Sequence, residues 1–198
     1  MNISNKLTIL RVILVIIMFP IPYIMGTEAT IGYTGISVSM LIVTILFAIA
    51  SYTDHLDGKL ARKNNWITNF GKFMDPLADK ILVMAAMLML LDFGRIPAWI
   101  PLIVVFREFA VSGYRFMAAT ENQVIPASKG GKWKTATQMI GLIIMLISPY
   151  GFFAKNIPSM TWQIITIIGS LMLVISTILT ITSGWDYLKH SKELLSDM

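Results

Sequence analysis

Four aspartates, arranged in two pairs, are the residues of this chain whose type and spacing most directly indicate chemistry. Asp54 and Asp57 are three residues apart, and Asp75 and Asp79 are four apart. On a helix, both spacings put the two carboxylates on one face. Two such helices lying side by side would point four carboxylates at one space. Carboxylates so close together do not all stay ionised without cations between them.

The chemistry of these oxygen ligands indicates the kind of cation. The chain has no cysteine, and oxygen donors favour a hard ion such as magnesium, manganese or calcium. Four aspartates suffice to bridge two ions about 4 Å apart, as in two-metal phosphoryl chemistry. Gly58 and Ala61 follow Asp57 on nearly the same face, and their small size allows a ligand to approach the backbone. The simpler alternative is that each aspartate is a solvated residue near a membrane boundary.

The two histidines are weaker candidates than the aspartates. His55 stands between the first aspartates, but on a helix it turns about 100° away from its neighbour Asp54. His190 lies in the carboxyl-terminal tail, far from either pair. The predicted metal site therefore consists of aspartates.

The segments that carry these residues are apolar. The chain is 56% hydrophobic and 14% charged, with a mean hydropathy of +0.71, whereas soluble domains are about one quarter charged. This predicts an all-α integral membrane protein in which residues 1–198 form a single catalytic domain. Each apolar run approaches the roughly 20 residues needed to cross a bilayer. Pro20 and Pro22 predict a kink in the first. The six predicted spans are residues 7–25, 36–53, 70–92, 97–119, 135–153 and 162–183.

The basic residues predict the orientation of these spans. With the six spans in place, all 16 Lys and Arg residues except Arg95 and Lys155 fall on one side of the membrane. The positive-inside rule puts that side, with both termini and the aspartates, in the cytoplasm. The tryptophans independently mark the predicted membrane boundaries: Trp66, Trp133 and Trp185 the inner one, Trp99 and Trp162 the outer one. The net charge is +5, and the basic residues lie between the apolar runs. This distribution favours anionic lipids and phosphorylated substrates over nucleic acid as partners.

The aspartates belong to a longer pattern that resembles a known family. The string D-x2-D-G-x2-A-R-x8-G-x3-D-x3-D resembles the signature of the CDP-alcohol phosphotransferases, integral membrane enzymes of phospholipid synthesis. Three further segments, NISNKLTILR at 2–11, REFAVSGYR at 107–115 and GKWKTATQ at 131–138, resemble the phosphatidylglycerophosphate synthase branch. Ser4 departs from that branch, where proline is common. The signature positions are Asp54, Asp57, Gly58, Ala61, Arg62, Gly71, Asp75 and Asp79.

This resemblance implies a fold, a location and residue roles. It implies a bundle of six membrane spans, usually a homodimer, in the bacterial plasma membrane, with a cytoplasmic cavity open towards the lipid. It carries binding of two Mg²⁺ or Mn²⁺ ions over to the four aspartates, and the role of general base to Asp79. It assigns the nucleotide of CDP-diacylglycerol to Gly58, Ala61 and Arg62. Thr8 and Arg11 are candidates for the nucleotide or phosphate, although Arg11 is equally a topogenic charge.

The acceptor alcohol is predicted from a second set of residues. Arg107 follows Pro97 by ten residues, about 15 Å along a helix, which puts a charge near mid-membrane. Arg115 shares its face two turns on. Lys132 and Lys134 enter the fifth span from the cytoplasmic side. Arginine forks and lysine charges bind phosphate, so the predicted acceptor is glycerol 3-phosphate.

Several alternatives remain open at this point. Arg107 could pair with a carboxylate on another helix; Glu108 is not its expected partner, because adjacent residues diverge. Lys132 and Lys134 could simply obey the positive-inside rule. Gln138 suits a helix–helix hydrogen bond as well as a substrate contact. Inositol phosphate would also need a basic pocket. A divalent-cation transporter would need ion-binding residues along a path through mid-membrane.

Overall fold

The computed structural model describes the backbone of residues 3–64, 69–120, 129–154 and 157–195. Within those ranges, the side chains of 3–4, 33, 54–64, 69–70, 72–73, 116–120, 129–130, 132 and 186–195 are not described. The predicted helical class is confirmed for these parts of the chain. Their α-helices are α1 Ile3–Met18, α2 Ile21–Met25, α3 Val38–Asn64, α4 Asn69–Asp92, α5 Trp99–Thr120, α6 Lys129–Ile147 and α7 Met160–Leu195.

Two helical segments among the described residues are long and apolar enough to cross a membrane, Asn5–Met25 and Met160–Trp185. Two shorter apolar segments, Val38–Thr53 and Trp133–Ile147, accompany them. Large apolar side chains such as Ile16, Phe106 and Ile178 are exposed on the outside of the helices. Because such surfaces are unfavourable in water, these helices fit a membrane protein.

The helix ends differ from the predicted spans for local reasons. The first apolar run is divided between α1 and α2 at Phe19 and Pro20, since proline cannot continue an α-helix in the usual hydrogen-bonding pattern. Helix α6 ends at Ile147 rather than 153, because Pro149 disfavours helical geometry in the residue before it. Helix α3 continues past 53 to Asn64, so the positions of the first aspartate pair are helical.

Helix α4, which carries Asp75 and Asp79, lies at the centre of the packing. It contacts α1, α3, α5 and α6, while α7 packs against α5 and α6. Phe47, Leu90 and Leu142 are fully buried in the core between these helices. Each neighbour of α4 can therefore present side chains to the aspartates or to the turn that follows them.

A buried arginine fixes the end of α6. Arg95 lies in the connection between α4 and α5 and donates from Nη1 to the carbonyl oxygens of Leu146 at 2.9 Å and Met145 at 3.3 Å. Burial lowers the pKa of Arg95 to about 10, so it remains charged at neutral pH. A cation at a helix carboxyl terminus satisfies its last carbonyls and complements the helix dipole. Arg95 thus anchors the α4–α5 connection to α6.

Candidate active site

Helix α1 contributes a buried polar face to the second aspartate pair. Asn5, Thr8 and Arg11 are three residues apart and buried, although most of the helix is apolar. Thr8 Oγ1 donates a hydrogen bond to Asp75 Oδ1 at 2.5 Å. Arg11 Nη1 donates to Asp79 Oδ1 at 2.7 Å. Helix α1 therefore donates hydrogen bonds to both aspartates of the second pair.

The two carboxylates differ in their electrostatic surroundings. The side chain of Arg11 is 1% exposed and that of Asp79 is 41% exposed, so a buried cation holds a carboxylate that reaches the surface of the protein. Asp75 instead receives a neutral hydroxyl. Pro76, inside α4, lacks the N–H of a helical hydrogen bond directly beside Asp75. The pair can thus offer oxygen ligands while Arg11 on α1 compensates one of its two negative charges.

A group of charged residues lies next to this pair, where α4, α5 and α6 meet. We call Lys80, Arg107, Glu108 and Lys134 the charged cluster. Glu108 Oε1 accepts hydrogen bonds from Arg107 Nη1 at 3.0 Å and from Lys134 Nζ. Lys80 Nζ donates to Ser112 Oγ, and Glu108 also interacts electrostatically with Lys80. Three cations therefore converge around one carboxylate.

The expectation that Glu108 would not pair with Arg107 was wrong. The Cβ atoms of adjacent helical residues do diverge, but both side chains are long enough for their ends to meet. Arg107 also reaches α7, where its Nη2 donates to Ser183 Oγ at 3.0 Å. One carboxylate partner of Arg107 thus lies on its own helix, and one of its contacts with a different helix is to a hydroxyl.

The remaining predicted residues lie in different surroundings. Arg115 is exposed, two turns beyond Arg107 on α5. Gln138 is buried one turn beyond Lys134, and its Nε2 lies 4.0 Å from Met87 Sδ of α4, which favours a helix–helix role. Gly71 is buried near the start of α4. Outside the described side chains are Asp54, His55, Asp57, Gly58, Ala61, Arg62, Lys132 and His190, so their predicted roles stay predictions.

Comparison with known proteins identifies the family. The family model described as CDP-alcohol phosphatidyltransferase matches residues 1–183. The chain belongs to this family. A Bacillus subtilis relative named CDP-diacylglycerol–glycerol-3-phosphate 3-phosphatidyltransferase is 39% identical over 98% of this chain and 97% of its own. Relatives with the same name are 37% identical in Haemophilus influenzae (99% and 96% covered) and 36% in Rickettsia bellii (97% and 96%).

Family membership confirms the predicted transferase and does not support the transporter alternative. CDP-alcohol phosphatidyltransferases generally depend on a divalent metal. The donor set fits such an ion, since Asp75 and Asp79 offer carboxylate oxygens from one face of α4, which packs beside α3. Among the described side chains, no three potential ligands gather. Asp54 and Asp57, the two α3 residues whose carboxylates would complete the set, lie outside the described side chains.

Sequence reasoning missed three residues of this region or gave them too small a role. Lys80 was counted as a topogenic charge, although it directly follows Asp79. Ser112 lies one helical turn after Glu108, a spacing that puts both on one face of α5. Ser183 had no sequence signal, because its contact with Arg107 joins helices 76 residues apart.

Proposed function

We propose that this protein transfers the phosphatidyl group of CDP-diacylglycerol to sn-glycerol 3-phosphate, producing phosphatidylglycerophosphate and CMP. Relatives that match nearly the whole chain carry the name of this activity. The structural observation that carries the proposal is the position of the charged cluster, which begins one residue after Asp79 with Lys80. A phosphate-binding group thus adjoins the acidic pair.

The charge of this cluster favours a phosphorylated acceptor. Lys134 and Arg107 are largely buried, at 7% and 13% exposure of their side chains. Glu108 offsets a single positive charge, so the three cations leave an excess of positive charge. Away from bulk water this excess interacts strongly with an anion. Inositol, which carries no charge, would not use it, whereas the phosphate of glycerol 3-phosphate would.

The proposed reaction assigns a step to each part of the site. Asp79 takes the proton from the primary hydroxyl of the acceptor. The resulting oxygen attacks the phosphorus joined to diacylglycerol, and the bond from that phosphorus to the bridging oxygen breaks. CMP leaves with the bonding electrons. Arg11 holds Asp79 in position, and the charged cluster orients the acceptor by its phosphate.

The nucleotide and the metal are assigned to the first half of the signature and to the aspartates. Gly58, Ala61 and Arg62 on α3 bind the nucleotide, and Thr8, whose hydroxyl donates to Asp75, is assigned to it as well. The carboxylates of Asp54, Asp57, Asp75 and Asp79 would hold two Mg²⁺ or Mn²⁺ ions. When bound, such ions supply positive charge that stabilises the pyrophosphate and the leaving CMP.

The proposed setting is a bacterial plasma membrane. Six spans and a homodimer are inferred by resemblance, with the apolar helices as physical support for the spans. The distribution of Lys and Arg supports a cytoplasmic site, on the side where nucleotide-activated lipids are made available. Membrane lipids then form the surroundings of the exposed apolar faces.

An acceptor panel tests the proposal. Purified protein is given CDP-diacylglycerol, Mg²⁺ and, in separate reactions, glycerol 3-phosphate, inositol phosphate, inositol or serine, and CMP release is measured. We expect release with glycerol 3-phosphate. Preference for inositol phosphate would overturn the acceptor and keep the phosphatidyl transfer. Absence of CMP release with every acceptor would overturn the proposed function as a whole.

A further inference from the structure

We infer that Glu108 is the positioning residue of the acceptor-phosphate site: its carboxylate holds the buried cations of α5 and α6 together so that they meet the phosphate in a fixed arrangement. This inference rests on the proposed function and deepens it. The eight positions of the aspartate signature lie on α3 and α4, whereas Glu108 lies on α5, in the segment REFAVSGYR that resembles the phosphatidylglycerophosphate synthase branch. Its role follows from contacts within the charged cluster.

A single carboxylate oxygen of Glu108 contacts two cations. Glu108 Oε1 accepts from Arg107 Nη1 at 3.0 Å and from Lys134 Nζ. Arg107 precedes Glu108 on α5, and Lys134 lies on α6, so this oxygen determines the separation between a guanidinium and an ammonium on different helices. Its side chain is 20% exposed, which limits competition from water.

Two serine hydroxyls form hydrogen bonds with cations at the edge of the charged cluster. Ser112 Oγ donates to the carbonyl oxygen of Glu108 at 2.6 Å and accepts from Lys80. Ser183 Oγ donates to the carbonyl oxygen of Thr180 at 3.1 Å and accepts from Arg107. Since each hydroxyl proton is engaged by a carbonyl, a lone pair of the oxygen is directed to the cation. The hydroxyls therefore orient the cations without removing their charge.

The charges of the cluster also support a positioning role for Glu108. Lys80, Arg107 and Lys134 repel one another, and repulsion is strong where water is scarce. Lysine and arginine also lose rotamer freedom when they are fixed. A carboxylate among them opposes both effects while the phosphate is absent. Because it offsets a single charge, the cluster stays attractive to a phosphate.

A purely structural brace between α5 and α6 is the competing explanation. A brace predicts that loss of Glu108 lowers stability and affects both substrates alike. A positioning residue predicts a selective change in the KM for glycerol 3-phosphate. Measurement of the KM for each substrate therefore distinguishes the two explanations, provided that the variant protein is folded.

The test compares Glu108→Gln with Glu28→Gln, the same substitution at an exposed position in the connection between α2 and α3. Gln keeps the size and an oxygen acceptor but removes the charge. We expect Glu108→Gln to raise the KM for glycerol 3-phosphate about tenfold or more, with the KM for CDP-diacylglycerol unchanged and kcat at saturation within about threefold. Glu28→Gln should match the wild type.

A second variant keeps the inference testable if Glu108→Gln does not fold. A Cβ added to Gly184 of α7 would lie 3.1 Å from Arg107 Cγ. Gly184→Ala thus crowds the Arg107 side chain, which must shift by a few tenths of an ångström beside Glu108 without any change of charge, and we expect it to raise the same KM selectively. An unchanged KM for glycerol 3-phosphate in either folded variant, or equal losses towards both substrates, would overturn the inference. If the wild type releases no CMP with glycerol 3-phosphate, the proposed function fails first and the inference with it.

Discussion

At the scale of single residues, Asp75 and Asp79 share a face of α4, yet α1 gives them different partners. Asp75 accepts from the Thr8 hydroxyl, and Asp79 accepts from the Arg11 guanidinium. The guanidinium of Arg11 offsets part of the negative charge on Asp79. In the proposed mechanism Asp79 both binds metal and takes a proton, and these two roles can be separated by experiment.

The residue-scale prediction concerns Asp79→Asn. If Asp79 only binds metal, higher Mg²⁺ should restore most of the activity of the variant. If Asp79 also takes the acceptor proton, kcat should remain lower by about 10² or more at saturating Mg²⁺, since the amide cannot accept that proton. The measurement is CMP release across a Mg²⁺ titration, after chelation has abolished wild-type activity.

The matched control for this prediction is Asp92→Asn, at the opposite end of α4. Asp92 accepts a hydrogen bond from Tyr23 at 2.8 Å and lies outside the acidic site. Its variant should keep wild-type kcat and metal dependence. Recovery of full kcat by Asp79→Asn at high Mg²⁺ would overturn the role of Asp79 as general base. Wild-type activity that persists after chelation would overturn the metal requirement.

Residue patterns predicted the types of site residue better than their partners. The spacing of Asp75 and Asp79 predicted a shared helix face, because that relation is local. Arg11 remained ambiguous between substrate binding and topology, since its contact with Asp79 joins residues 68 positions apart. Periodicity contains no information on such a distance, and tertiary packing decides it.

At the scale of elements, the described helices agree with the predicted helical class. Where these helices end depends on polar residues and prolines, which hydropathy does not take into account. The apolar runs predicted an end of the second span at 53 and of the last at 183, but α3 and α7 continue to Asn64 and Leu195. Polar residues can extend a helix beyond the apolar region, because helical hydrogen bonds do not require apolar side chains. Hydropathy therefore predicts the apolar segment of a helix rather than its length.

The element-scale prediction concerns Arg95 and the end of α6. Arg95→Met should lower the free energy of unfolding by about 2 kcal/mol, because two carbonyls at a helix terminus lose a charged donor in a buried place. The melting temperature in detergent should fall accordingly, while the KM values of the folded protein stay unchanged. Arg95→Lys should be intermediate, since an ammonium keeps the charge but lacks the rigid planar geometry of the guanidinium. An unchanged melting temperature for Arg95→Met would show that other groups hold the end of α6.

At the scale of the whole molecule, the packing gathers the proposed chemistry around α4. Helix α1 holds the aspartates, and the charged cluster joins α4 to α5 and α6. The anchor of Arg95 is at the end of α4 that follows Asp92. If the aspartates are cytoplasmic, Arg95 and the α6–α7 connection lie at the outer side. The positive-inside rule and the geometry of α4 thus lead to one test of orientation.

The final prediction is that positions at the two ends of the bundle react with a membrane-impermeant thiol reagent from opposite sides. The chain has no cysteine, so each introduced cysteine reports a single position. Asn64→Cys and Ser128→Cys should be labelled only after the membrane is permeabilised, because the distribution of basic residues predicts that those connections are cytoplasmic. Ala154→Cys, in the exposed α6–α7 connection, should be labelled in intact cells. Each variant must retain CMP release, which verifies that labelling reports the folded enzyme. Labelling of Asn64→Cys and Ser128→Cys in intact cells would invert the orientation and put the aspartates on the side away from the cytoplasmic CDP-lipid and glycerol 3-phosphate.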